Sequence, residues 1–459
     1  MSYTVSYNSN TGIGSIDDLV VEESTLFDLS IGTGISLVGN TLGSWNTQAD
    51  GLGTSYDLGE EITDGITADL ALYAIWTGNN YSIQYDANRG TGIIAEGTAT
   101  YGSSFTLSDG TGFTKPSGYG VIKEWNTEND GSGTSYDLGY EFTEYNIADD
   151  IKLYAIWTPV FNIGTDGIIT GLTSYGKTLS AIVVPDVANG VTINKINDNA
   201  FSGLKNITSV SISNYITEIG DFAFCCCKAL ETVTFSDTIT KLATINVIND
   251  GTLYLTDVDA LRVGMEIAFR TSEDAIITDF SNRIITSINR EVQSITINGA
   301  VPTEVELPTN TYITRVVTEK ISNIGEYAFS DTAITTIEIP NTITKIDNNC
   351  FSNCELMTSI TFKDTSTLKY ICKEAFFNCV VLATIVLPAS LIEIGYSAFA
   401  NCRGLTSIVI PETVTVMSSD VFSNCVNITV INCEIDKRPA NWIVGWNDDL
   451  KVKWSYVAE

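Results

Sequence analysis

The sequence predicts a mainly β chain: two small β modules in tandem, then a repeat solenoid interrupted by a further small β domain. Three observations carry that reading. A tryptophan-led stretch of fifteen residues occurs twice, 80 residues apart. A marker phenylalanine then recurs with a period near 23, and one interval between markers is 105 residues long.

The first repeat is Trp45-Asn-Thr-Gln-Ala-Asp-Gly-Leu-Gly-Thr-Ser-Tyr-Asp-Leu-Gly59, which returns as Trp125-Asn-Thr-Glu-Asn-Asp-Gly-Ser-Gly-Thr-Ser-Tyr-Asp-Leu-Gly139. Leu72-Tyr-Ala-Ile-Trp-Thr77 returns in the same way at Leu153 to Thr158. Each unit opens on an alternating segment, Tyr3-Thr-Val-Ser-Tyr7 and Tyr81-Ser-Ile-Gln-Tyr85. Aromatic and β-branched residues at period 2, broken by Gly and Asp clusters, predict short strands joined by turns. The aromatics of the closing Leu-Tyr-Ala-Ile-Trp fill a small core.

These residues resemble the Listeria–Bacteroides repeat, the B-repeat of internalin-type surface proteins. The resemblance implies a compact β-grasp-like module over 1–78 and another over 79–159, acting as a spacer or weak binding unit without catalysis. The turns at Asp50-Gly-Leu-Gly and Asp130-Gly-Ser-Gly admit a calcium reading, since carboxylates on a Gly loop suit a hard cation. They lack the alternating ligand set and bidentate Glu of such a loop. Turn chemistry, with Gly at positive φ and Asp bonding its own backbone, is favoured.

The second repeat runs Ile-x-x-x-Ala-Phe-x-x-Cys-x-x-Leu-x-x-Ile-x-Ile-Pro, clearest from Ile394 to Pro411. Its markers are Phe201, Phe224, Phe329, Phe351, Phe376, Phe399 and Phe422, separated by 23, 105, 22, 25, 23 and 23 residues. A period near 23 falls in the leucine-rich-repeat range; each unit supplies a short strand, and stacking builds a parallel ladder over a continuous core. The pattern looks like the BspA-like leucine-rich repeat, whose members are surface adhesion and recognition proteins of bacteria, protists and large DNA viruses. The segment from Lys437 to Asn447 resembles the aromatic closing segment of that family. Trp442, Trp446 and Trp454 are expected to cap the solenoid end rather than bind sugar faces.

The fold class is therefore two β-grasp-like modules followed by a leucine-rich-repeat solenoid interrupted by a small β domain. The solenoid occupies 160–242 and 321–434, with the inserted β domain at 243–320 and a Trp-rich cap at 435–459. Strands are expected at Thr252–Thr256, Glu266–Arg270 and Ser294–Asn298, with Asn298-Gly299 as a hairpin turn.

Cys227, Cys354, Cys379, Cys402 and Cys425 each follow a marker phenylalanine by three residues, forming a column that faces the core as small buried hydrophobes. Neighbouring rungs lie within disulfide reach, but a chain without a signal peptide favours free thiols. Zinc is disfavoured by irregular spacing, by the absence of histidine and despite the local cluster Cys225-Cys226-Cys227. On each ladder strand the inward positions are apolar, such as Val210 and Ile212 or Ile408 and Ile410. The outward positions are Ser209, Ser211, Thr232, Thr234, Thr336 and Glu338, then Ser359, Thr361, Thr384, Val386, Ser407 and Val409. This hydroxyl-rich, nearly uncharged face is the candidate ligand-binding surface; equally, Ser, Thr and Val simply suit exposed strands.

The chain carries 55 acidic and 24 basic side chains, for a net charge of −31. Such a surface repels phosphates and anionic lipid, so neither nucleic acid nor membrane insertion is expected. No histidine is present, which removes Ser-His-Asp and Cys-His catalysis. The carboxylate pairs Glu22-Glu23, Glu60-Glu61 and Asp149-Asp150 are read as solvated charges rather than a glycosidase pair. No catalytic residue, cofactor or metal is expected. The leading expectation is a non-enzymatic recognition or structural protein on a virion surface, such as a capsid-associated, tail or fibre protein. It would contact capsid or tail neighbours, or a host-surface protein or glycan, and a homo-oligomer is compatible. The alternatives are a cell-surface adhesin and a carbohydrate-active enzyme. The first residues lack a basic start and an apolar run, which favours the virion.

Overall fold

In a computed structural model, residues 1–457 are described apart from 189–190, 214, 237–242, 250–251, 257–260, 262–265, 272–275, 278–282, 290–291, 300–306, 309 and 316–320. Among the described residues there is no α-helix, and strands make up nearly all the regular structure. The mainly β class expected from the sequence is the class observed. The chain divides into two compact units, one of Met1–Pro116 and Val121–Trp157, the other of Ser117–Gly120 and Thr158–Glu459.

The first unit holds both copies of the tryptophan-led repeat. In the first copy Ser2–Asn8 pairs antiparallel with Leu19–Glu22 and parallel with Leu70–Gly78. Leu70–Gly78 pairs antiparallel with Asn40–Asn46, which carries Ser55–Tyr56 on its far edge. The second copy repeats this five-strand order. A central parallel pair flanked by antiparallel strands is the β-grasp arrangement, here without a helix packed on it. Alternation along the central strands sends Val5, Leu72 and Ala74 into the core around Trp45.

Two parallel ladders make up the solenoid, where the repeat pattern suggested one strand per unit. The first runs Ala181–Val184, Ser209–Ile212, Thr232–Phe235, Thr336–Ile339, Ser359–Phe362 and Thr384–Ile385. The second is built from pairs of residues such as Lys345–Ile346, Tyr370–Ile371, Glu393–Ile394 and Val416–Met417. Two-residue strands carry too little alternation to stand out in a sequence. One core runs from Val160 to Trp446 through every marker phenylalanine. The rings of Phe224, Phe329, Phe351, Phe376, Phe399 and Phe422 stack at centroid distances of 5.2–5.7 Å and within 7° of parallel. Two residues beyond most markers the backbone turns left-handed, and Asn353, Asn378, Asn401 and Asn424 fill that position at φ 59–64°.

Between Phe224 and Phe329 the chain leaves the solenoid to form a closed six-stranded barrel. Its order is Ala243–Asn249, Thr252–Leu255, Ser294–Ile297, Arg283–Asn289, Glu266–Arg270 and Tyr312–Arg315. Leu253, Phe269, Ile285, Ile295 and Ile313 fill it. Among the described residues Asn298-Gly299 turns no hairpin, since Ser294–Ile297 is paired on its two sides with Thr252–Leu255 and Arg283–Asn289. Tyr312–Arg315, the next described strand, pairs with Ala243–Asn249 and Glu266–Arg270 instead. Asn298 folds back on its neighbour, its Oδ1 accepting from the Ile284 N–H at 2.7 Å. An Asn-Gly pair supplies positive φ wherever a chain reverses, and it does not choose the partner strand.

Candidate recognition face of the solenoid

Parallel register sets the outward side chains in rows. Ser209, Thr232, Thr336, Ser359 and Thr384 lie opposite one another along the ladder. Ser211 faces Thr234 and Glu338 faces Thr361 in a second row. Ser407 and Val409 are not in this sheet; they pair with Val430 and Asn432 in a separate one. The inward residues Val210, Ile212, Ile337, Ile339, Ile408 and Ile410 are buried, as the alternation requires.

The hydroxyls divide by position. Thr208, Thr217, Thr342, Thr358 and Ser390 donate to carbonyls of the preceding rung at 2.5–3.1 Å. Those of Ser209, Ser211, Thr232, Thr234, Thr336, Ser359, Thr361, Thr384 and Ser407 are tied to no neighbour among the described residues. The loop hydroxyls are structural, and those on the sheet face make no internal bond among the described residues.

Prolines decide where this face is continuous. At the residue following each strand, the N–H of Ser236, Lys363 and Glu434 donates to the carbonyl of Ile212, Ile339 and Ile410 one rung back, at 2.8–3.1 Å. Each of those junctions is paired over four residues. Pro340, Pro388 and Pro411 hold the same position in three further rungs and have no N–H to give. There the ladder thins to Thr232↔Thr336, to Ser359↔Thr384 with Ile360↔Ile385, and to no pairing between Thr384–Ile385 and Ser407–Ile410. Sequence reasoning missed this break. Its signals are the prolines and the 25-residue interval from Phe351 to Phe376.

The cysteine column is buried as expected, and all ten cysteines are free. The thiols of Cys227, Cys354, Cys379, Cys402 and Cys425 donate to the carbonyls of Phe201, Phe329, Phe351, Phe376 and Phe399 at 3.0–3.2 Å. Burial pushes the thiol of Cys354 up to about 11 and that of Cys425 up to about 12. Such groups stay protonated and inert, so the column welds rungs together. Cys225 and Cys226, with sulfurs 3.1 Å apart, stand apart from it.

Other candidate residues are engaged locally. Asp50 and Asp130 accept the N–H groups of Leu52 and Ser132 at 3.0 and 2.9 Å, the turn chemistry rather than an ion site. Fully buried Asn46 organises the same loop: its Nδ2 donates to the Gly51 and Gly53 carbonyls and its Oδ1 accepts from Gln48 and Gly53. Asp150 accepts from the Ser82 N–H and Glu60 from the Asp57 N–H. Trp442 and Trp446 are buried, pack edge to face with centroids 4.9 Å apart, and close the end of the solenoid core.

Comparison with known proteins agrees with this architecture. Residues 175–246 and 314–438 match the BspA type leucine rich repeat region in six copies, and residues 3–75 and 81–156 match the Listeria-Bacteroides repeat domain. A Gly-rich membrane protein of Evansella cellulosilytica is 33% identical over 129 residues, 27% of this chain and 14% of that protein. A membrane protein of the same organism is 37% identical over 99 residues, 21% of this chain and again 14% of its own length. The chain thus spans about a seventh of these curated relatives. Among solved structures, the leucine-rich-repeat protein of T. pallidum aligns over 64% of this chain and 95% of its own, at 17% identity and a TM-score of 0.31. One from Bacteroides ovatus aligns over 64% and 69%, at 19% identity and a TM-score of 0.30. This chain carries a BspA-type leucine-rich repeat region and, ahead of it, two Listeria–Bacteroides repeats.

Proposed function

We propose that this chain is a non-enzymatic recognition protein that holds a protein or glycan partner against the sheet face of its solenoid. The observation that carries the reading is the row of sheet-face hydroxyls, fixed in register over a rigid core and committed to no internal bond. Hydrogen-bond donors and acceptors held in place before contact lose little entropy on binding. The two N-terminal modules serve as a spacer, and their 22 acidic against 4 basic side chains keep that arm soluble. The barrel is read as a separate domain budding from the solenoid, and the tryptophan segment as its cap.

Display on a surface fits both repeat types. The membrane-protein names of the two partial relatives favour a cell envelope, and the virion surface suggested by the sequence stands as the alternative. Quantifying the chain by mass spectrometry in purified envelopes and purified particles separates them. Enrichment in particles at fixed stoichiometry to the shell protein overturns the envelope reading.

The recognition reading is tested by Thr234→Arg and Thr361→Arg, which place bulk and charge on the face without touching the core. Both are expected to weaken adherence of the purified chain to partner-bearing surfaces at least tenfold. Unchanged adherence overturns the sheet face as the contact.

A further inference from the structure

The solenoid opens into a cleft of about 440 Å³ between the rung of Ser359–Phe362 and the rung of Thr384–Ile385. That volume is in the ~300–1,000 Å³ range of small-ligand sites. Two features build it. The chain between Phe351 and Phe376 is longer than the intervals around it, and the extra residues form the loop Lys363-Asp-Thr-Ser366 as one wall. Opposite, Pro388 cannot donate to the Phe362 carbonyl as Lys363 donates to Ile339, so Val386 swings free of the ladder and is 83% exposed.

We propose that this cleft binds a neutral saccharide, one or two rings of a glycan; the proposal rests on the reading of the solenoid as a recognition surface and locates a ligand on it. A pyranose presents hydroxyls at its rim and C–H groups on its faces. The cleft offers the matching pair of surfaces: the hydroxyls of Ser359, Thr361 and Thr384 at its sides, and Val386 with Pro388 as an apolar wall. Asp364 and the Phe362 carbonyl, which the proline leaves without its donor, accept hydrogen bonds from sugar hydroxyls. Neutrality follows from charge. A chain at −31 repels sulfated or sialylated chains, and Lys363, the one cation in the cleft, already faces Glu338 at 4.0 Å.

The test uses the full chain with lactose, maltose and chitobiose as probes in saturation-transfer NMR, followed by an array of neutral and acidic glycans. Three variants accompany it, each checked by circular dichroism and thermal melting. Val386→Arg fills the cleft. Pro388→Glu supplies an N–H opposite Phe362 and is expected to close the cleft, seen as a slowly exchanging amide at position 388 of the variant. Lys205→Glu alters an exposed loop outside both the cleft and the sheet face. Saccharide contact is expected in the native chain, weakened at least tenfold by Val386→Arg and Pro388→Glu and unchanged by Lys205→Glu. Contact with none of the glycans, contact confined to acidic ones, or contact indifferent to Val386→Arg overturns the proposal. If Thr234→Arg still abolishes adherence in that case, the sheet-face reading survives and only the cleft fails; if neither set of variants matters, both fail.

Discussion

The thiol of Cys379 donates to the carbonyl of Phe351, 3.2 Å away on the preceding rung. The same bond recurs at Cys354, Cys402 and Cys425, so a cysteine at this position adds a second donor, from the next rung, to carbonyls that at Phe351, Phe376 and Phe399 already accept the N–H three residues on at 3.1–3.3 Å. Replacing Cys379 by Ala removes the donor and leaves a small void. A loss of about 1–3 kcal/mol is expected, read as a lower urea midpoint. An unchanged midpoint would show that the thiol is only a space filler.

The same column sets an alkaline limit on stability. Burial raises Cys354 to about 11 and Cys425 and Cys433 to about 12, against an ordinary value of 9.0. The folded chain therefore holds protons that the unfolded chain releases first. The stabilisation is complete below pH 9 and declines as the pH rises through 11 and 12. Melting temperature is expected to fall steadily above pH 9, less steeply in a Cys354→Ala/Cys425→Ala variant. Equal slopes in the two chains would remove the cysteines as the cause.

Asn46 spends both ends of its amide on the loop that follows Trp45. Asn46→Ala strands several buried donors and acceptors at once, at a cost of about 2–4 kcal/mol. The damage is expected to stay within the first module. Hydrogen exchange should accelerate in residues 2–78 and leave the Phe351 to Phe422 rungs as protected as before.

If proline sets where the ladder opens, a proline can also be used to open it. Glu434→Pro removes the N–H that reaches the Ile410 carbonyl at 3.1 Å. The junction between Ser407–Ile410 and Val430–Cys433 should then resemble the one before it, with faster exchange at Asn432, whose N–H faces the same side as that of Glu434, and a loss of about 3 kcal/mol. Retained protection there would break the link between proline and pairing.

Trp446 meets both Phe422, the last ring of the phenylalanine stack, at 6.3 Å and Trp442 at 4.9 Å. Trp446→Ala uncovers the end of the apolar column, and about 3–5 kcal/mol of stability should go with it. Light scattering is expected to show association through the bared end; a monomer of native stability would mean that the cap lies elsewhere.

The sequence by itself determined the periodic parts. Marker phenylalanines near a 23-residue spacing, alternating Ile-x-Ile strands and the doubled tryptophan stretch each repeat a local physical requirement, and repetition lifts such a signal above chance. Burial of Val210, Ile339 and Ile410, and outward placement of Thr234 and Thr361, follow from the two-residue period of a strand. Only the tertiary structure decided which rungs actually bond. Pro388 looks like Pro340 and Pro411 in the repeat, and each is unremarkable as a turn residue. Its effect appears only when the Phe362 carbonyl one rung away is found without its donor. Asn298-Gly299 makes the same point in the barrel, where the partner of a strand is chosen by distant residues. Local spacing fixes what one strand presents to its two faces; pairing depends on two segments at once, and that information becomes visible only when both are in place.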